Sequence, residues 1–262
     1  MAGGIATRRS VRAQLSMRTL LSVVALCACS PAAAQALTTA NLRVGVRPQR
    51  LGAGTTITFG FQIASAGQAL PAALTRLVVR LPAGMGIDTS GLSSCASAPL
   101  LAHGVNACPA DARVGSGSVY VKVPLGDVVR LERATLTVFN GPRGKGRGTL
   151  LFYAVGRVPI ATRLVFTGAI VPSPLGWSIE ARIPLIPTLP ESPDGAIVQM
   201  TSTVGTRGRT YYRTVGGKRV RFTPKGATLP RTCPPGGFPF SAEFDFNDAT
   251  SATAATTVAC RR

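Results

Sequence analysis

From Phe238 to Phe246 the chain alternates strictly. Phe238, Phe240, Ala242, Phe244 and Phe246 fall on one side, and Pro239, Ser241, Glu243 and Asp245 on the other. A period of two sends successive side chains to opposite faces of an extended backbone, so this segment buries itself as a β-strand with one packed face. A helix would scatter the same phenylalanines around its circumference. Asn247-Asp248 then supplies a turn, and the Thr/Ala/Val-rich stretch 250–258 predicts a returning strand. Such a hairpin carries Cys260 back toward Cys233.

Runs of similar character recur at 41–46, 55–63, 74–81, 119–123, 134–139, 150–155, 163–171, 178–185, 197–204, 210–215 and 218–223, nearly all bounded by Gly, Pro, Asn or Asp. The 29 glycines and 20 prolines make up almost a fifth of the 262 residues, which excludes a coiled coil or a long helical bundle. A hydrophobic content of 45% excludes wholesale disorder. The expected fold is all-β: an antiparallel β-sandwich of jelly-roll or immunoglobulin-like type, with about a dozen strands. Helical character is expected only as a turn over 87–94, capped by Asp88 or Thr89. Residues 37–262 are read as one domain, the alternative being two small β domains divided in the Pro-rich connection 187–193.

The N-terminal 36 residues read as an address. Arg8, Arg9, Arg12 and Arg18 precede an apolar run over 20–29, and Ala34-Gln35-Ala36 provides the small residues of a cleavage site. Arg8-Arg9 could serve as a twin-arginine signal, and Leu26-Cys27-Ala28-Cys29 loosely follows a lipobox, which would make the exported form a lipoprotein. The plainer reading makes Cys27 and Cys29 small apolar members of a signal core that is removed. Four cysteines then remain. Their spacing predicts two local disulfides, Cys95 with Cys108 and Cys233 with Cys260, as befits an oxidising compartment. A zinc site is the alternative, but no C-x-x-C pair exists and His103 is the only histidine.

The segments Cys108-Pro109-Ala110-Asp111-Ala112-Arg113-Val114-Gly115-Ser116-Gly117, Cys233-Pro234-Pro235-Gly236-Gly237-Phe238-Pro239-Phe240 and Leu81-Pro82-Ala83-Gly84 resemble those of uncharacterised secreted proteins of high-GC actinobacteria. The resemblance spans most of the chain beyond residue 36. It implies an exported β-rich protein of the envelope or the medium. That family has no established activity, so no functional residue carries over from it.

Catalytic patterns are mostly missing. A single His cannot build a His-pair metalloprotease, and Gly115-Ser116-Gly117-Ser118 lacks the spacing of a nucleophile elbow and reads as a turn entering a strand. His103 reads as an exposed loop histidine. A polysaccharide hydrolase would need two carboxylates, for which Glu180, Glu243 and Asp245 are the candidates, although their alternation with apolar residues makes them solvent-facing charge. Asp245, Asn247 and Asp248 lack the glycine and terminal Glu of a calcium loop and read as a hydrogen-bonded turn. No cofactor is expected.

Charge is the remaining signal. The chain carries 29 Lys+Arg against 10 Asp+Glu, a net +19, and removing the leader leaves +15. Segment 143–231 alone holds +11, against +5 for 37–142 and −1 for 232–262. Two clusters dominate: Arg143, Lys145 and Arg147 in a Gly-rich turn, and Arg207, Arg209, Arg213, Lys218, Arg219 and Arg221 around a hairpin turning at Gly216-Gly217. Arg219 and Arg221 share a face there, with Tyr211 and Tyr212 close by. Guanidinium groups match carboxylates and phosphates in a two-pronged fashion, so these clusters predict a basic face for anionic cell-wall polymers or acidic glycans. The plainer reading is solvated surface charge. Nucleic acid is the less favoured partner because the chain is expected to be exported.

Overall fold

A computed structural model describes residues 38–68, 70–144, 148–206 and 210–260. Residues 1–37, with the expected signal segment, and Lys145, Arg147, Arg207 and Arg209 lie outside them. In chain order the strands are β1 (Thr38–Arg47), β2 (Gly54–Ser65), β3 (Leu74–Arg80), β4 (Gly86–Asp88), β5 (Arg113–Leu125), β6 (Val128–Asn140), β7 (Thr149–Gly156), β8 (Thr162–Ser173), β9 (Gly176–Arg182), β10 (Ala196–Val204), β11 (Tyr211–Val215), β12 (Lys218–Phe222), β13 (Gly226–Thr228), β14 (Phe238–Phe246) and β15 (Ser251–Val258). One short helix, α1 (Ser97–His103), precedes β5.

Thirteen strands form a single antiparallel sheet in the order β15-β14-β3-β9-β8-β7-β6-β5-β10-β2-β13-β4, with β1 also paired to β2; β11 and β12 form a separate ribbon. The two halves of the large sheet are the layers of the sandwich. Phe61 on β2 meets Phe244 on β14 with ring centroids 5.1 Å apart, although seven strands separate them along the ladder. Strand β1 runs beside β15, so the ends of the sheet also come together around this core.

Period-two patterning explains the packing. On β14 the side chains of Phe238, Phe240, Ala242, Phe244 and Phe246 are all buried, while Pro239 is exposed and Ser241, Glu243 and Asp245 are half-buried. The same parity on β6 turns Ala134, Leu136 and Val138 inward. Burying one large apolar side chain stabilises a fold by about 1.5–3 kcal/mol, so the five-residue stripe on β14 alone anchors that edge.

Both disulfides join the expected partners, Cys95 with Cys108 and Cys233 with Cys260, at Cα separations of 5.2 and 5.9 Å. In the chain-entropy picture loops of this length each contribute roughly 3–3.5 kcal/mol. The first loop carries α1, whose Leu100 is fully buried against Phe139, Leu151 and Tyr153, the outward residues of β6 and β7. A small second core thus covers part of the outer face of the sheet.

Two local expectations are corrected. Residues 87–94 are not helical: Asp88 ends β4, and its Oδ1 accepts the Ser90 N–H at 2.9 Å, so the carboxylate closes a turn where a helix cap was expected. Helical structure instead falls within the Cys95–Cys108 loop, where Leu100 has a pocket to fill. Likewise Gly115-Ser116-Gly117-Ser118 is the interior of β5, not a turn, paired with both β6 and β10. A Cβ at Gly117 would collide with the Thr201 carbonyl, so glycine is there for close strand approach.

Candidate functional site

The ribbon of β11 and β12 turns at Gly216 and Gly217, with φ of 56° and 76°. Paired positive φ values belong to the tight hairpin turn whose twist suits antiparallel strands. The register sets Tyr212 opposite Arg221 and Thr214 opposite Arg219, so these four residues share one face. Tyr211, Arg213, Lys218, Val220 and Phe222 share the other.

That second face holds the ribbon down. Tyr211 is buried, its hydroxyl donates to the Arg113 carbonyl at 3.5 Å, and its ring lies 5.9 Å from Phe222. The edge of Phe222 in turn fills the space above Gly91, leaving no room there for a side chain. The Arg213 guanidinium sits 5.7 Å from the Phe222 centroid.

The first face is open. Tyr212, Arg219 and Arg221 are exposed, and the Arg219 guanidinium stacks over the Tyr212 ring at 4.2 Å. Stacking holds the planar group by its face and leaves its N–H edge free to donate. Among the described residues, no carboxylate forms an ion pair with Arg213, Lys218, Arg219 or Arg221; the acidic side chains of β14 pair instead with Arg76 and Arg80.

Arg143 belongs to the same end of the molecule. Asp88, three residues from the Gly91 that contacts Phe222, feels the positive charges of both Lys225 and Arg143. Its carboxyl is held below the ordinary value first by the Ser90 hydroxyl and N–H, and then by those two cations. Arg143 acts on Asp88 and the ribbon packs on Gly91, so both lie near the segment 88–91. The other four members of the expected basic set, Lys145, Arg147, Arg207 and Arg209, lie outside the described residues.

The carboxylates considered for hydrolysis lie elsewhere. Glu243 and Asp245 point outward from β14, where Arg76 donates to Asp245 at 2.8 Å and Arg80 donates to Glu243 at 2.8 Å. Glu180 lies on the same outer surface, opposite Val78 in the ladder. Glu243 and Asp245 are thus held by arginines on the outer surface of the sheet, while Glu180 is exposed there. At the adjacent turn, Asn247 Oδ1 accepts the Ala73 N–H and Asp248 Oδ1 accepts both the N–H and the hydroxyl of Thr250. No group of three or more His, Cys, Asp or Glu side chains suited to a metal ion occurs among the described residues. His103 is exposed at the end of α1.

Sequence reasoning passed over Glu132. It is the one buried charged residue among the described residues, 5% exposed, at the inward-facing position two before Ala134 on β6. The signal was present in the parity: counting back in twos from Val138 and Leu136 arrives at Glu132. No helix among the described residues is long and apolar enough to cross a membrane. No family model matches this chain, and neither does any curated protein or solved structure.

Proposed function

We propose that this is an exported, non-enzymatic β-sandwich protein of the cell envelope or the extracellular medium, whose basic end binds anionic polymers such as acidic glycans or phosphate-bearing wall polymers. The observation that carries this reading is the open face of the β11–β12 ribbon. There Arg219 is propped on Tyr212 beside Arg221 with no ion-pair partner among the described residues, and Arg143 and Lys225 both act on Asp88, close to where the ribbon packs. A guanidinium group already stacked on a ring loses less freedom on binding, and each presents two parallel donors to a carboxylate or phosphate. Two closed disulfides and the resemblance to secreted actinobacterial proteins support an exported setting.

The polysaccharide hydrolase reading has no comparable support, because Glu243 and Asp245 are paired with Arg76 and Arg80 and Glu180 is an exposed residue on the outer surface of the sheet.

The test is retention of the protein on immobilised polyuronate and on poly(glycerol phosphate) over a salt series, for the natural chain and for Arg219→Ser/Arg221→Ser. The natural chain should be held at low salt and released as salt rises, because exposed charges are screened over about 8 Å at physiological ionic strength. The double variant should elute at distinctly lower salt with an unchanged melting temperature. Retention indifferent to salt and to both substitutions would sink the proposal.

A further inference from the structure

The sandwich interior is not fully filled. A cavity of about 150 Å³ runs between the layers, walled almost entirely by aliphatic and aromatic side chains, among them Val121, Ala134, Phe152, Ala154, Phe166 and Ile197. One lining residue is ionisable: Glu132. Its Oε1 is buried and has no hydrogen-bond partner.

The surroundings of that oxygen are built around it. Small residues, Ala134, Ala154 and Gly156, line the wall beside the carboxyl. A Cβ at Gly156 would occupy the place of Glu132 Oε1, so the carboxyl rests directly on bare backbone. Burial pushes the Glu132 carboxyl above its ordinary value, while the N–H groups of Arg157, Val158 and Ile160 pull it the other way. Those amides belong to the connection between β7 and β8 that directly follows Gly156. Buried polar atoms are nearly always satisfied, so an orphaned oxygen at the edge of an apolar hollow calls for a partner from inside it.

We propose that the interior of the sandwich is a binding site for a small apolar molecule ending in a single O–H or N–H donor, its hydrocarbon part lying among the aliphatic walls and its donor placed on Glu132 Oε1. Size limits the guest. A dry cavity of about 150 Å³ in another protein holds one benzene ring, so a chain or ring of about six to eight heavy atoms fits here. An acid is excluded by chemistry, because its carboxylate would face Glu132. This site is independent of the basic ribbon, and either can fail without the other.

Four six-carbon probes decide it: hexan-1-ol, hexylamine, hexane and hexanoate, titrated into the full chain while the methyl resonances of Val121, Ala134 and Ala154 are followed by NMR. Hexan-1-ol and hexylamine should shift those methyls with affinity at least tenfold above that of hexane, and hexanoate should not bind. In Glu132→Gln, which cannot hold an ammonium by charge, the tenfold advantage of hexylamine over hexane should disappear. Should that variant fail to fold, Ala154→Leu, which narrows the cavity without touching the carboxyl, should abolish binding of every probe. Equal affinity for hexane and hexylamine, no methyl shift with any probe, or binding that survives Ala154→Leu would each overturn the proposal.

Discussion

The outer surface of β3 and β14 and the inner end of β6 hold carboxylates in opposite circumstances. Outside, Glu243 and Asp245 are half-exposed and satisfied by Arg76 and Arg80 at 2.8 Å. Inside, Glu132 is 5% exposed and keeps one oxygen without a partner. Water screens the first set, so each pair adds little and each loss is tolerable. The second pays a desolvation penalty that the amides of Arg157, Val158 and Ile160 offset only in part, since Oε1 keeps no partner. The outer set is thus solubilising structure, and the inner residue is the one whose placement asks for a ligand.

The largest effect expected from this contrast comes from Gly156→Ala. The new methyl would compete with Glu132 for one volume, and overpacking of a filled site generally costs about 1–3 kcal/mol. If the carboxyl is the obstacle, the penalty should largely vanish in a Glu132→Ala background, a non-additivity that chemical denaturation of the four chains in the double-mutant cycle measures. Equal penalties in both backgrounds would mean that Glu132 does not rest on Gly156.

A smaller effect, opposite in sign for the two regions, should appear with pH. Glu132 has a carboxyl pKa raised by burial, so the folded state takes up its proton more readily than the unfolded state. Stability from this group is present at acid pH and declines as pH climbs from the ordinary glutamate value through the raised one. Asp248, at the exposed turn after β14, is displaced downward, chiefly by the Thr250 hydroxyl. Its contribution is present above the ordinary aspartate value and fades as pH falls through the lowered one. Glu132→Gln should therefore raise the melting temperature at neutral pH and leave it unchanged in acid. Asp248→Asn should lower it at neutral pH and converge with the natural chain in acid. Melting curves at matched ionic strength distinguish the two patterns, and identical pH profiles would break the contrast.

Much of this arrangement was readable from the letters, and the exceptions share a cause. The alternation over 238–246 announces β14 because both faces of the strand differ in chemistry. The cysteine pairs were legible because a hairpin returns Cys260 to Cys233. Gly117 was misread as turn material because its role is pairwise: the constraint is the Thr201 carbonyl on another strand, more than eighty residues away. Helix α1 depends on a pocket assembled from Phe139, Leu151 and Tyr153, which the local sequence 97–103 does not reveal. Glu132 hid among Arg130 and Arg133, where a run of charges looks like a solvated strand end. What makes the position internal is non-local: the carboxyl packs on Gly156 of β7, beside the amides of the 157–160 connection.

The smallest effect belongs to the outer pairs. Arg80→Ala removes the 2.8 Å contact with Glu243, yet both side chains keep roughly a third or more of their surface in water, at 45% and 32%. Exposed pairs of this kind are worth about 0.2–1 kcal/mol and lose strength in salt. Arg76 can also replace the missing partner in part, since its Nη1 already lies 3.8 Å from Glu243 Oε1. The melting temperature of Arg80→Ala should thus fall slightly in dilute buffer and match that of the natural chain in molar salt. A loss as large as that of Gly156→Ala, or one that persists in high salt, would show that the outer row is doing what only the buried carboxylate is expected to do.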